Sequence, residues 1–183
     1  EEWRIHVVGS LYVDRIVKKM YTPNVEAKKK YGLLPDENYW IILYHPDTFE
    51  SAEENYRVMK EILDGSLESS FRSIILYPCS DPGYESVIKA IEEAKSANPE
   101  KFLVYRNINN LDFLGLLEGA KALVGNSSAA FVEAPHLNLT VVNIGNRQLN
   151  RGGMDDSSDG YASERILEIL KSIELGDKLL RKN

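Results

Sequence analysis

Ala122-Leu123-Val124-Gly125-Asn126-Ser127-Ser128 is the stretch that decides the fold: an apolar run of strand character passes into a glycine and hydroxyl residues, with Glu133 five residues beyond. A short buried strand that ends this way and runs into a helix turns backbone N–H groups outward, in the outline of an anion site. The next strand-like run, 140–144, ends in Gly145-Asn146-Arg147-Gln148, with Arg151 close behind. Two successive strand ends are therefore expected to carry hydroxyls, amide donors, a carboxylate and two guanidiniums to one edge of a sheet.

Working outward, further apolar, β-branched runs occur at 5–8, 39–44, 73–77 and 102–105. Strands that are apolar on both faces belong to parallel sheets. Between them apolar residues recur at helical spacing: Ala52, Tyr56, Met59 and Leu63, closed by Gly65, then Val87, Ile88, Ile91 and Ala94. Phe113, Leu114 and Leu117 follow Asn110 as N-cap, and Ile166, Leu167, Leu170 and Ile173 follow Ser163 as cap. Alternating β and α elements with right-handed crossovers predict an α/β fold, a doubly wound parallel sheet of about six strands. Ligands bind such sheets outside the carboxyl ends of the strands. The run Lys28-Lys29-Lys30 reads as the exposed face of a short helix, and 152–160, polar and Gly-rich, as a loop that is mobile until something binds.

With 183 residues, 43% of them hydrophobic, the chain suffices for one substantial core, so a single domain over 1–183 is expected. A formal charge of −6 argues against general nucleic-acid or anionic-membrane binding. Any anion site must be built locally. The single Cys79 cannot form an internal disulfide, and no apolar run approaches the ~18 residues of a membrane span, which fits a reducing cytoplasm. The chain opens almost inside the run 5–8 without an initiating Met and reads as a piece of something longer.

His45 follows the run 39–44 and precedes Pro46, which disfavours helical geometry and leaves the imidazole in a loop at a strand's carboxyl end. It either faces a ligand or caps the helix that begins at Ser51. Ser127 and Ser128 have no accompanying base, and Ala130 occupies the final Gly position of a hydrolase elbow, so anion binding is the better reading, with a simple N-cap as the alternative. Glu133 is a solvated charge or an acceptor for sugar hydroxyls. Arg147 and Arg151 flank Gln148 and suit a diphosphate, since guanidinium meets phosphate oxygens in pairs. Asp81 and Gly83, on the same edge as His45, either line the cleft or start the next helix, the second being the preferred reading, and backbone groups of 107–110, Asn109 among them, could read a planar base. Cys79 is expected to be a packed small residue. His6, inside a run, and His136 are assigned to structure. No site has metal-ligand spacing.

Taken together, His45-Pro46-Asp47-Thr48, Gly125-Asn126-Ser127-Ser128 with Glu133-Ala134-Pro135, and Asn143 to Gln148 with Arg151 resemble the hydrolysing branch of the UDP-N-acetylglucosamine 2-epimerase family. The resemblance implies a Rossmann-like nucleotide-binding domain, one half of a glycosyltransferase-B type fold, whose N-terminal partner domain is absent here. It implies conversion of UDP-N-acetylglucosamine to N-acetylmannosamine and UDP for sialic-acid-type sugar synthesis, with no cofactor and no metal, and a homo-oligomer in the full-length protein. His45 would be the catalytic candidate, touching the phosphates or assisting proton transfer. Gly125, Asn126, Ser127, Ser128, Arg147, Gln148 and Arg151 would hold the diphosphate, Glu133 the ribose, and the loop with Asn109 the uracil. The chain departs from the family pattern after Arg151, where 152–160 leads directly to the last helix. A glycosyltransferase of the same architecture and a non-catalytic binding or assembly module are the alternatives.

Overall fold

The computed structural model describes residues 5–149 and 158–173. Strands β1 (Tyr39–Leu43), β2 (Arg72–Leu76), β3 (Phe102–Tyr105), β4 (Ala122–Gly125) and β5 (Val141–Asn143) form one sheet in the order β3-β2-β1-β4-β5. Every pairing is parallel. Helices α3 (Ala52–Leu67), α4 (Tyr84–Ala97), α5 (Asn110–Gly119) and the short α6 (Ala129–Val132) alternate with the strands, while α1 (Leu11–Val17) and α2 (Asn24–Lys30) precede them and α7 (Ala162–Ser172) follows.

The two-faced apolar strands explain why helices cover both sides. Ile41, Leu43, Ile74, Leu76 and Leu123 pack with α2, α5 and α6, whereas Ile42, Tyr44 and Ile75 pack with Met59 and Leu63 of α3 and Val87 and Ile91 of α4. Helix α5 is buried all round, from Asp112 to Leu117, as expected for a helix sandwiched between the sheet and α2. Its Asp112 accepts from Thr22 Oγ1 (2.7 Å), Lys30 Nζ (2.5 Å) and Tyr31 Oη (2.9 Å), a fully partnered charge that ties α2 to α5. Among the described residues, no helix is long and apolar enough to cross a membrane.

Several sequence expectations are corrected. The run 5–8 is not a strand: Ile5 and Val7 are 71% and 80% exposed, and the Val8 carbonyl accepts from Arg165 Nη1 at 3.2 Å. The sheet has five strands among the described residues, close to the expected six, because an apolar run becomes a strand only where a neighbour completes its ladder. Gly65 lies inside α3, which continues to Leu67. The α3 stripe is Asn55, Met59, Leu63 and Ser66, so Ala52 faces solvent. Asn109, not Asn110, caps α5, its Oδ1 accepting from the Leu111 amide. Ser163 does not cap α7. Asp14 of α1 does so from across the chain, accepting from the amides of Ala162 (2.9 Å) and Ser163 (2.7 Å) and from the Ser163 hydroxyl (2.6 Å). On α7 only Ala162 is buried, and Leu167 and Leu170 are exposed, because the helix packs on α1 and not on the sheet. Lys28 is buried rather than exposed: its Nζ donates to the Pro35 carbonyl and lies over the Tyr39 ring. Arg151 and most of the expected loop 152–160 lie outside the described residues.

Candidate functional site

The strand order reverses direction between β1 and β4, since β1 leads outward through β2 to β3 while β4 and β5 lie on its other side. Such a switch point opens a crevice at the carboxyl edge. The residues leaving it are His45 on one side and Gly125-Asn126 on the other. Gly125 has φ +138°, and its amide-flanked Cα lies hard against β1, so that a Cβ there would stand 2.1 Å from the Leu43 carbonyl oxygen. Only glycine allows this approach. The approach brings the Asn126 side chain over the backbone of His45: its Oδ1 accepts from the His45 amide (2.7 Å), and its Nδ2 donates to the His45 carbonyl (2.8 Å). From β5's side, Gln148 Nε2 donates to the Asn126 carbonyl at 2.7 Å. Asn126 and Gln148 are both buried. Their amides are thus spent on joining three strand ends.

The imidazole of His45 is oriented by the loop after β2. Its Nδ1 accepts from the Cys79 amide at 3.0 Å, which puts the remaining proton of the neutral ring on Nε2. Burial, reinforced by the nearby Arg147 guanidinium and partly offset by Asp81, pushes its pKa down to about 4. The ring is a neutral N–H donor at physiological pH. Arg147 Nη2 donates to Asp81 Oδ2 at 3.0 Å, and the Cys79 thiol donates to the same oxygen at 2.9 Å. Since Asp81 engages one terminal nitrogen of the guanidinium, the rest of the fork can meet an anion. The expectation for Cys79 is corrected here: the residue is exposed, not packed, and partial desolvation of its sulfur together with the Asp81 carboxylate raises its pKa, which disfavours the nucleophilic thiolate. Asp81 also does more than begin a helix. That role falls to Gly83, the N-cap of α4.

Ser127 is buried, and its Oγ accepts from the Ala129 amide at 3.3 Å, whereas Ser128 is exposed. Among the described residues, the amides of Ser127 and Ser128 donate to no protein acceptor. Glu133 ends α6, is 8% exposed and has no hydrogen-bond or ion-pair partner among the described side chains. Burial raises its pKa. Apart from its own backbone amide, this buried carboxylate has no partner among the described residues, and it can accept from a polar group outside. Asn109 lies beyond β3, and its side-chain oxygen is spent on the α5 cap. Among the described residues, no group of three His, Cys, Asp or Glu side chains could hold a metal. Sequence reasoning passed over the Cys79 amide, the Asp81 to Arg147 pair and Asn55, which holds the loop after His45. Only Asn55 had a local signal, being a polar residue in phase with Met59 and Leu63.

The model of one protein family, described as UDP-N-acetylglucosamine 2-epimerase, matches residues 1–178. The chain belongs to this family. The UDP-N-acetylglucosamine 2-epimerase of Neisseria meningitidis serogroup B is 36% identical over 91% of this chain and 43% of its own length. A UDP-N,N'-diacetylbacillosamine 2-epimerase (hydrolyzing) of Legionella pneumophila is 25% identical along the whole of this chain and 55% of its own length. This epimerase-family chain thus spans about half the length of the curated relatives it matches. Its fold resembles the crystal structure of the Neisseria meningitidis UDP-GlcNAc 2-epimerase bound to UDP-GlcNAc, with a TM-score of 0.69 over 94% of this chain and 57% of that one, at 16% identity.

The depressed pKa of His45 has a stability consequence for this family member. In the unfolded chain an imidazole binds a proton below about pH 6.5, while the folded ring resists it down to about 4. The stabilising contribution is therefore complete above pH 6.5 and is lost as pH falls toward 4. With the ring partly exposed, the loss is roughly 1–2 kcal/mol. His45→Asn is expected to flatten this part of the stability profile in urea unfolding at pH 4 to 7. An unchanged slope would refute the assignment.

Proposed function

We propose that this chain is the nucleotide-binding half of a hydrolysing UDP-N-acetylglucosamine 2-epimerase. The observation that carries the reading is the meeting of Arg147, the Nε2–H of His45 and the unused amides of Ser127 and Ser128 at the switch point, with the buried Glu133 carboxylate, which no other described residue engages, a short helix away. This is a donor set for a diphosphate with an acceptor for ribose hydroxyls, in a chain whose net charge of −6 provides no general affinity for anions.

In the proposed reaction a base removes the C2 proton of the sugar, the electron pair forms a C1–C2 double bond, and the C1–oxygen bond breaks to release UDP. Water then adds its oxygen to C1 while C2 regains a proton from the opposite face, yielding N-acetylmannosamine. Charge grows on the departing diphosphate, where Arg147, the two serine amides and His45 can stabilise it. Because Nδ1 of His45 is held by the Cys79 amide and Nε2 already carries a proton, the ring is suited to donate to a phosphate oxygen and unsuited to act as base. The groups that move the C2 proton are assigned to the part of the relatives' length that this chain does not span. A cytoplasmic setting, a homo-oligomer of the full-length protein and a role in sialic-acid-type sugar synthesis belong to the same proposal.

Incubation of the full-length protein with UDP-GlcNAc is expected to release free N-acetylmannosamine and UDP, whereas the 183-residue chain binds UDP and releases no sugar. Transfer of the sugar to an acceptor without free N-acetylmannosamine would replace the proposal with a transferase. Glu133 offers a further check. Glu133→Gln removes a buried charge and leaves one neutral, weaker acceptor in place of the two carboxylate oxygens, so melting temperature at pH 7 should rise while UDP affinity falls about tenfold. Unaltered affinity in calorimetry would remove Glu133 from the nucleotide site.

A further inference from the structure

The loop that carries His45 is pinned at two points on either side of a proline. Asn126 holds both backbone groups of His45, as described above, and Asn55 of α3 holds both backbone groups of Asp47. Asn55 Oδ1 accepts from the Asp47 amide at 2.7 Å and from Tyr44 Oη at 3.2 Å. Its Nδ2 donates to the carbonyls of Asp47 and Ser51, each at 3.0 Å. All four bonds that a side-chain amide can readily make are used. Asn55 is 1% exposed, and α3 does not need it as a cap, since Ser51 Oγ already accepts from the Glu54 amide at 3.1 Å. Between the two clamps lies Pro46, whose ring fixes φ. The segment from His45 to Asp47 is left with almost no rotational freedom. The same amide also lies close to the loop after β2: a Cβ on Gly83, which has φ +92°, would lie 3.5 Å from both Asn55 Nδ2 and Pro46 Cβ. That is the loop whose Cys79 amide orients the imidazole.

We propose that Asn55 is a positioning residue for the anion site, holding the His45 loop beside the Cys79 loop in the register that presents Nε2–H to a phosphate. The assignment rests on reading this edge as a diphosphate site. Asn55 touches no position a nucleotide would occupy and acts through His45.

The test titrates UDP into the intact chain and into Asn55→Ala, Asn55→Asp and Ser66→Ala, and records the imidazole nitrogen signals of His45 by NMR in each. Ser66→Ala breaks another buried polar contact of the same helix, the 2.8 Å bond to Ser73 Oγ. Asn55→Ala is expected to weaken UDP binding about tenfold and to lose the single-tautomer signature of His45. Asn55→Asp, which keeps the acceptor for the Asp47 amide and drops the donor, should fall between, and it carries the comparison if the alanine variant does not fold. Ser66→Ala should leave both readouts as in the intact chain. Asn55 variants that bind UDP within about twofold of the intact chain and keep the His45 signature would overturn the proposal. So would a Ser66→Ala loss equal to theirs, which would reduce Asn55 to a contributor to helix stability. If the intact chain binds no UDP, the nucleotide reading fails, and the His45 signals still decide whether Asn55 sets the imidazole.

Discussion

Gly125→Ala is expected to lower stability by more than ~4 kcal/mol, enough to unfold much of the protein. A Cβ at this position would lie 2.1 Å from the Leu43 oxygen, 2.6 Å from its carbonyl carbon and 3.1 Å from the Tyr44 nitrogen, and the backbone φ of +138° is itself unfavourable for alanine. The obstructing atoms are backbone of the central strand. They cannot yield without opening the β1–β4 ladder in which Leu43 pairs with Gly125. The same displacement would pull Asn126 off His45, so any folded fraction should also bind UDP poorly. Gly145→Ala is the comparison: φ is +72° but nothing lies within 4 Å of the added carbon. Only backbone strain remains there, worth about 1 kcal/mol. Urea unfolding of both variants checks the contrast, and a Gly125→Ala protein as stable as the Gly145→Ala one would show that the close approach is not required.

Arg147→Ala should weaken UDP binding about 100-fold, or roughly 3 kcal/mol, with little change in stability. Among the described residues the guanidinium is the cation of the cluster, and its pairing with Asp81 is partly open to solvent, at 20% and 37% side-chain exposure, which limits what that pair adds to folding. Arg147→Lys keeps the charge and loses the fork, so its affinity should lie between the two. A second readout comes from His45. Arg147 helps to depress the imidazole pKa, so its removal should move the His45 titration upward from about 4. Calorimetry showing wild-type affinity for UDP in Arg147→Ala would remove the diphosphate from this edge of the sheet.

The candidate site was legible in the sequence to the extent that it depends on strand ends. His45, Gly125 to Ser128 and Arg147 to Gln148 each follow an apolar run directly, and in a parallel sheet all such ends share one edge. The division of labour among them was not legible. Asn126 and Gln148 look like ligand donors beside Ser127 and Arg147, yet the fold consumes their amides in joining strand ends. Asp81 looked like a helix start because its partner, Arg147, lies 66 residues away on the far side of the switch point.

By itself, then, the sequence determined that the chain alternates two-faced apolar strands with amphipathic helices, that a glycine closes the run 122–124, and that polar residues gather after the strands. These are consequences of side-chain period and backbone permission, which act over a few residues. Only the tertiary structure decided that 5–8 stays outside the sheet, that Asp14 caps α7, and that His45 is gripped by Asn126 and oriented by Cys79. A ladder, a remote cap or a tautomer needs a partner from elsewhere in the chain, and hydrogen bonds reach about 3 Å. Which groups come within that reach is a property of strand order and register, and no local pattern carries it.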